Sequence, residues 1–335
     1  MNPSLWLKDE HVEIEREPAD LPGEQGSDGE DCGTFTHLFE TREVNAVNTA
    51  LASGRPLLVR GEPGVGKSQL ARAAAVGLRR PFVSKVIDAR MEARDLLWTF
   101  DAVRRLADAQ VLGVERLAEG ETVAARLDET RYVSPGPLWW GFSGATAMDQ
   151  ARHAEAPLPA GWDKDTDTSR GVVVLLDEID KANSSVPNGL LECLGNRRFP
   201  GPKGTTVSCK SAAPLVILTT NEERSLPDAF LRRCIVLQLA LPTEAGELSE
   251  WLEARARAHF GPDQIEDEVL SEVIRMLIED REAADARNLA PPGGAELLDQ
   301  LRALALIGQN AEHRLRLVTE LREFTFRKHP EDVTG

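Results

Sequence analysis

The chain has 335 residues, 28% charged and 41% hydrophobic, which is enough to bury a sizeable core and to form two or three domains. Its formal net charge of −16 repels phosphate backbones at long range, so non-specific nucleic-acid binding is disfavoured, although a local basic groove could survive it. Four cysteines (Cys32, Cys193, Cys209 and Cys234) lie without CxxC spacing, which argues against a zinc site or a disulfide framework and for reduced thiols. The opening MNPSLWLKDEHVEIEREPAD lacks the basic-then-apolar order of a signal peptide, and no apolar run reaches membrane-span length. A cytoplasmic location is therefore expected.

Residues 1–33 are acidic and rich in Gly and Pro, a composition that buries too little apolar surface to offset its ordering entropy. They are expected to form a flexible tail, with WLKDEHVEI as the one stretch able to pack on a surface. From Thr34 the texture changes: Glu43 to Ala52 reads as a helix, PLLVR as a short strand, and SQLARAAAVGL as an alanine-rich helix. Four further apolar runs follow, FVSKVI, VVVLLD, LVILTT and IVLQLAL. They are too short for helices and lack period-2 alternation, as strands of a parallel sheet covered on both faces do. Past Pro242 the strands stop. GELSEWLEARARAHF, DEVLSEVIRMLIEDRE, AELLDQLRALALIG and HRLRLVTELREFTF each carry apolar residues at helical spacing. The expected fold is α/β, a P-loop NTPase with a parallel five-stranded sheet flanked by helices over residues 34–242, followed by a smaller all-helical lid over 243–335.

GEPGVGKS, from Gly61 to Ser68, fits G-x-x-x-x-G-K-[ST] between a strand and a helix, the context that gives this motif meaning. Gly61, Gly64 and Gly66 let backbone N–H groups turn inward around phosphates, with Glu62, Pro63, Val65 and Gln69 completing the cradle. Lys67 supplies charge to the β- and γ-phosphates, Ser68 offers a hydroxyl to Mg²⁺, and the helix adds its N-terminal partial charge. In VVVLLDEID, Asp177 and Glu178 follow buried apolar residues and should stand at the carboxyl edge of the sheet. Asp177 is placed to hold Mg²⁺ and Glu178 to deprotonate the attacking water. Asp180 and Lys181 are assigned to the start of the next helix, with no chemical role required. LVILTT ends at Asn221, which can hold the lytic water or touch the γ-phosphate. Downstream, LPDAFLRRC sets Arg232 and Arg233 just before the last apolar run, where solvated surface arginines would be the ordinary reading.

The ordered set GEPGVGKS, VVVLLDEID, LVILTTN, LPDAFLRRC and a helical lid resembles the AAA+ ATPases. More narrowly it is similar to their MoxR branch, through YVSPGPLWWGF, NGLLECLGNRRF and TTNEERSLPDAFLRRC. The resemblance runs roughly from Thr34 to Gln309. It implies an ATP-hydrolysing ring, usually hexameric, with ATP and Mg²⁺ at subunit interfaces and an arginine finger lent by the neighbouring subunit. The matching residue is Arg233, with Arg232 beside it. It also implies remodelling or activation of a protein client, commonly with a partner carrying a von Willebrand factor A domain. Two inserts match the branch: ETVAARLDETRYVSPGP, which could fold as a hairpin, and RRFPGPKGTTVSCKSAAP, similar to the hairpin before the sensor strand. One position departs from the pattern, since Pro292 stands where the branch carries a lid arginine, and Arg287 is a candidate substitute. A nucleic-acid motor or loader and an ATP-gated scaffold with little hydrolysis stay open as alternatives. The acidic balance speaks against the first and the intact Asp177–Glu178 pair against the second. A small-molecule P-loop kinase would leave the lid and the finger without a role.

Overall fold

A computed structural model describes residues 6–8, 11–15, 34–112, 122–183, 185–209, 212–287 and 289–327. The described residues of the WLKDEHVEI stretch pack onto the domain. Strand β1 (His11–Glu15) pairs antiparallel with β2 (Thr34–Leu38), Val12 lying opposite His37. Leu7 and Val12 are buried in the core, and Leu7 also has both its backbone groups bound at 3.0 Å by the side chain of Asn48. A segment-wide composition averages over these few apolar residues, and their burial depends on a pairing across the intervening residues 16–33. Those residues, with 1–5 and 9–10, lie outside the described part.

After β2 come α1 (Thr41–Ser53), β3 (Leu57–Arg60), α2 (Lys67–Leu78) and β4 (Phe82–Val86). The large insert then runs through β5 (Trp98–Phe100), α3 (Ala102–Leu112), α4 (Val123–Arg126), β6 (Val133–Pro135), α5 (Pro137–Phe142) and α6 (Gly144–Ala154). The remainder of this layer is β7 (Val173–Asp177), α7 (Ser185–Asn196), β8 (Arg198–Pro200), β9 (Thr206–Ser208), β10 (Leu215–Thr220), α8 (Asp228–Leu231) and β11 (Ile235–Gln238). Five strands form one parallel sheet in the order β11-β3-β10-β7-β4. Successive residues feed opposite faces: Val174, Leu176, Val216 and Leu218 enter one core, while Val173, Leu175, Leu215 and Ile217 enter the other. Burial on both faces explains why these strands read as unbroken apolar runs.

The two inserts behave differently. RRFPGPKGTTVSC makes the expected hairpin, with Phe199 opposite Val207 in the β8–β9 pair. ETVAARLDETRYVSPGP does not close on itself. Only its Val133–Pro135 is a strand, and the partner is β5, Trp98 lying opposite Pro135. Thr122 caps the helical turn before it by accepting from the Ala125 N–H at 3.2 Å, and Asp128 accepts from that of Thr130 at 2.9 Å. These local side-chain bonds compete with extended backbone. The Trp98 Nε1–H bond to the Pro200 carbonyl at 3.1 Å joins the β5–β6 pair to the β8–β9 hairpin, and a Lys203–Asp128 ion pair ties that hairpin to the segment before β6. GPLWWGF is core material, with every residue of α5 buried and Trp139 meeting Phe199 edge to face.

The lid consists of α9 (Ala245–His259), α10 (Asp267–Ala286), α11 (Gly294–Ile307) and α12 (Ala311–Thr325), packed around a separate core that includes Leu252, Val273, Leu277, Leu301, Leu304 and Val318. Among the described residues no helix is long and apolar enough to cross a membrane. Cys193, Cys209 and Cys234 form no disulfide, and burial pushes the Cys234 thiol up to about 12, which keeps it protonated and unreactive. Leu7→Ala should cost about 2–4 kcal/mol, because a buried leucine is replaced by a void against α2. A urea titration reads this as a lowered midpoint, and an unchanged midpoint would mean that the amino-terminal segment adds nothing to the core.

Candidate active site

Three strand ends converge on one cleft. The loop after β3 turns left-handed at Gly61 (φ 151°), Gly64 (φ 76°) and Gly66 (φ 99°). A Cβ at Gly61 would lie 2.4 Å from the Leu239 carbonyl oxygen, so the close pass of loop and sheet edge needs glycine there. Gly66 is the N-cap of α2, which brings the first orphan N–H groups of that helix to the cleft. Lys67 is buried, and its ammonium donates to the carbonyls of Gly61 at 2.7 Å and Glu62 at 2.8 Å. Burial holds its pKa below the usual lysine value, with Asp177, Asp180, Glu178 and Glu62 opposing that shift. Arriving phosphates would offset the same desolvation.

Asp177 ends β7. Ser68 Oγ donates to both of its carboxylate oxygens, at 3.0 and 2.9 Å, and Thr219 Oγ1 donates to Oδ1. The next residue, Glu178, is left-handed (φ 60°, ψ 48°), a conformation that costs a non-glycine residue about 1–2 kcal/mol. Its N–H donates to Thr219 Oγ1 at 2.9 Å, and its carboxylate accepts from Lys181 Nζ at 2.8 Å. Lys181 therefore does touch the site, contrary to the expectation that it only starts a helix. Asp180 is also engaged: it is buried and accepts from the Glu223 N–H at 3.0 Å, tying the turn after β7 to the turn after β10. Asn221 follows the tip of β10.

Pro63, Gly64, Val65, Gly66, Lys67, Ser68, Gln69, Asp177, Glu178 and Asn221 all line a cleft of about 490 Å³ between sheet and lid. Gly61 and Glu62 stand behind it, as Lys67 acceptors, and Glu62 also pairs with Arg281 of α10 at 2.9 Å. The Gln69 Oε1 atom is buried without a hydrogen-bond partner among the described residues. The Ser68 hydroxyl and Asp177 carboxylate form an all-oxygen donor pair, the type that suits Mg²⁺ bound through one carboxylate and substrate phosphates. Among the described residues there is no cluster of three or more His, Cys, Asp or Glu that could hold a metal.

Arg232 and Arg233 are placed elsewhere. Both are exposed and neither lines the cleft. They precede Ile235, which is in register with Leu57 at the start of β3, whereas the phosphate loop follows the far end of that strand. At the rise of a strand this separates the two ends by about 10 Å, and puts the arginines at the opposite edge of the sheet from their own loop.

The roof of the cleft was not legible in the sequence. Thr36, His37 and Leu38 reach it from β2, Trp251 and Arg255 from α9, and Arg302 from α11. Arg255 stacks 3.3 Å over the Trp251 ring, and both donate to Glu40 Oε1, at 2.9 and 3.0 Å. The lid is thus fastened at Glu40 and at Glu62, while Val65 packs against both the sheet core and the lid core. Arg287 caps α10 and does not line the cleft, and the Pro292 carbonyl accepts from Arg281 at 2.9 Å. The only sequence cue to the roof residues of α9 and α11 was their cationic or aromatic character on amphipathic helices, which does not specify a direction.

The family model described as AAA domain (dynein-related subfamily) matches residues 56–234. No curated protein matches the chain in sequence. Among solved structures, a protein from Cytophaga hutchinsonii described as a "putative ATPase" is similar at 13% identity and a TM-score of 0.35, over 85% of this chain and 79% of that one. A variant of RuvB from Thermotoga maritima is similar at 16% identity and a TM-score of 0.41, over 84% of this chain and 67% of that one. At these scores neither bears on this chain's function. Gly61→Ala should lower stability by about 1–3 kcal/mol through its left-handed φ and the Leu239 clash, and weaken nucleotide binding with it. Unchanged melting and unchanged nucleotide affinity would show that the close pass is dispensable.

Proposed function

We propose that this chain, which belongs to the AAA domain family (dynein-related subfamily), is an ATP hydrolase of the MoxR type that assembles into a ring and remodels or activates a protein client. Membership of the family carries nucleotide binding with it. The observation that carries the hydrolase reading is the convergence of Lys67, Ser68, Asp177, Glu178 and Asn221 on one cleft from three adjacent strand ends.

In this reading the loop N–H groups and the Lys67 ammonium bind the β- and γ-phosphates. Ser68 and Asp177 would hold Mg²⁺, which when bound supplies charge neutralisation on the phosphate oxygens. Asn221 orients the attacking water, and Glu178 takes its proton, after exchanging the Lys181 ion pair for that water. Arg233 serves the neighbouring subunit's cleft, where a planar guanidinium stabilises charge on the transferring phosphoryl group. Its position at the edge away from its own loop, and its exposure, support this assignment. The partner class, a von Willebrand factor A domain protein, rests on the resemblance of the sequence to the MoxR branch. The joined β5–β6 pair and β8–β9 hairpin offer surfaces for such a client.

Lys67→Ala should abolish binding of a fluorescent ATP analogue, and Glu178→Gln should bind it normally while turnover falls at least 100-fold. Normal phosphate release by Glu178→Gln would refute the assignment of the base. Arg233→Ala should keep binding and lose on the order of 10³-fold or more of the turnover seen at concentrations where the chain assembles. A rate that is independent of protein concentration and untouched by Arg233→Ala would rule out the finger in trans.

A further inference from the structure

We infer that Thr219 is a positioning residue that sets both carboxylates of the site through one hydroxyl, an inference that rests on the Mg²⁺-dependent nucleotide reading above. Thr219 is fully buried in a strand that is otherwise apolar up to its tip, where a valine would fill the same volume. A hydroxyl placed there needs partners, and it has two. The backbone N–H of Glu178 can only donate, so Thr219 Oγ1 accepts from it, at 2.9 Å. The hydroxyl hydrogen is then directed to Asp177 Oδ1. The parallel register that pairs Leu218 with Leu176 brings Thr219 beside Asp177, so the contact is built into the strand pairing. Thr220, on the other side of the strand, serves a different end, accepting from the Glu222 N–H at 2.9 Å.

Two consequences follow from this single hydroxyl. The Asp177 carboxylate is shared between Ser68 and Thr219. Ser68 is a proposed ligand of the metal and must redirect its hydroxyl on binding, so Thr219 is the donor left to aim Asp177. The left-handed turn at Glu178 would leave its half-buried N–H without this partner if the Thr219 oxygen were absent, so the hydroxyl also fixes the direction in which the proposed base leaves the strand. Thr219 lines the cleft at the foot of its wall, and the role assigned to it is to act through these two residues.

The test compares Thr219→Val, Thr219→Ala and Thr219→Ser in the full chain, with a fluorescent ATP analogue titrated against Mg²⁺ and melting followed without nucleotide. Loss of an orienting group of this kind typically weakens metal affinity 10- to 100-fold. The expected result is a Mg²⁺ half-saturation raised at least tenfold in Val and Ala, a reduced kcat, and near-normal values in Ser, with affinity for the analogue in EDTA unchanged in all three. The Ala variant carries the test if Val does not fold. A half-saturation within twofold of wild type in the variants lacking the hydroxyl would overturn the inference, as would a Ser variant as defective as Val, or wild-type binding indifferent to Mg²⁺. If the wild-type chain binds the analogue with Mg²⁺ but releases no phosphate, the hydrolase reading fails alone and the Mg²⁺ titration still decides the role of Thr219.

Discussion

The Asp177 carboxylate, held between the hydroxyls of Ser68 and Thr219, is the junction on which the rest of the site depends. Each of its three residues comes from a different strand or strand-to-helix turn, and β10, which carries Thr219, lies between the other two in the sheet. Sheet order is therefore a functional quantity here. Placing β10 between β3 and β7 brings the glycine-rich turn, the Asp177 carboxylate and a polar strand tip to one edge. The apolar cores on both faces fix that register, since a one-residue slip would exchange the two sets of side chains.

Charged contacts tie the lid to this edge. The chain is acidic overall, yet the lid brings Arg255, Arg281 and Arg302 to the cleft or to its loop. Arg281 grips Glu62, and Arg255 with Trp251 grips Glu40, so the lid is tied to both sides of the nucleotide loop without using the loop's own lysine. These are partly exposed pairs, and individually such contacts are weak. Their significance is geometric: a rearrangement of the loop around phosphates would be felt at Glu62 and Val65 and passed to α10 and the lid core.

Much of this architecture was legible in the sequence, and the reasons differ by element. Strands buried on both faces announce themselves as apolar runs, and the four lid helices carry clear helical spacing. The loop from Gly61 to Ser68 was readable because glycine and lysine at fixed spacing have a direct physical purpose. Besides the roof of the cleft, three features were not. The β1 strand has few apolar residues, and its pairing skips 18 positions, from Glu15 to Thr34. The partner of β6 lies upstream at Trp98–Phe100, beyond any local hairpin signal. Thr219 looked like one of two interchangeable threonines until the register placed its hydroxyl between two carboxylate-bearing residues, a relation that exists only in three dimensions.

In the proposed mechanism a complete hydrolytic site takes Glu178 from one copy and Arg233 from the next. Mixing the Glu178→Gln and Arg233→Ala chains tests this directly, because each is inactive alone but a mixed contact pairs an intact Glu178 with an intact Arg233. With random assembly and independent heterologous interfaces, steady-state phosphate release should recover to about a quarter of the wild-type rate in an equimolar mixture. A mixture as inactive as its two components, measured where both chains bind nucleotide and co-assemble, would contradict the shared site.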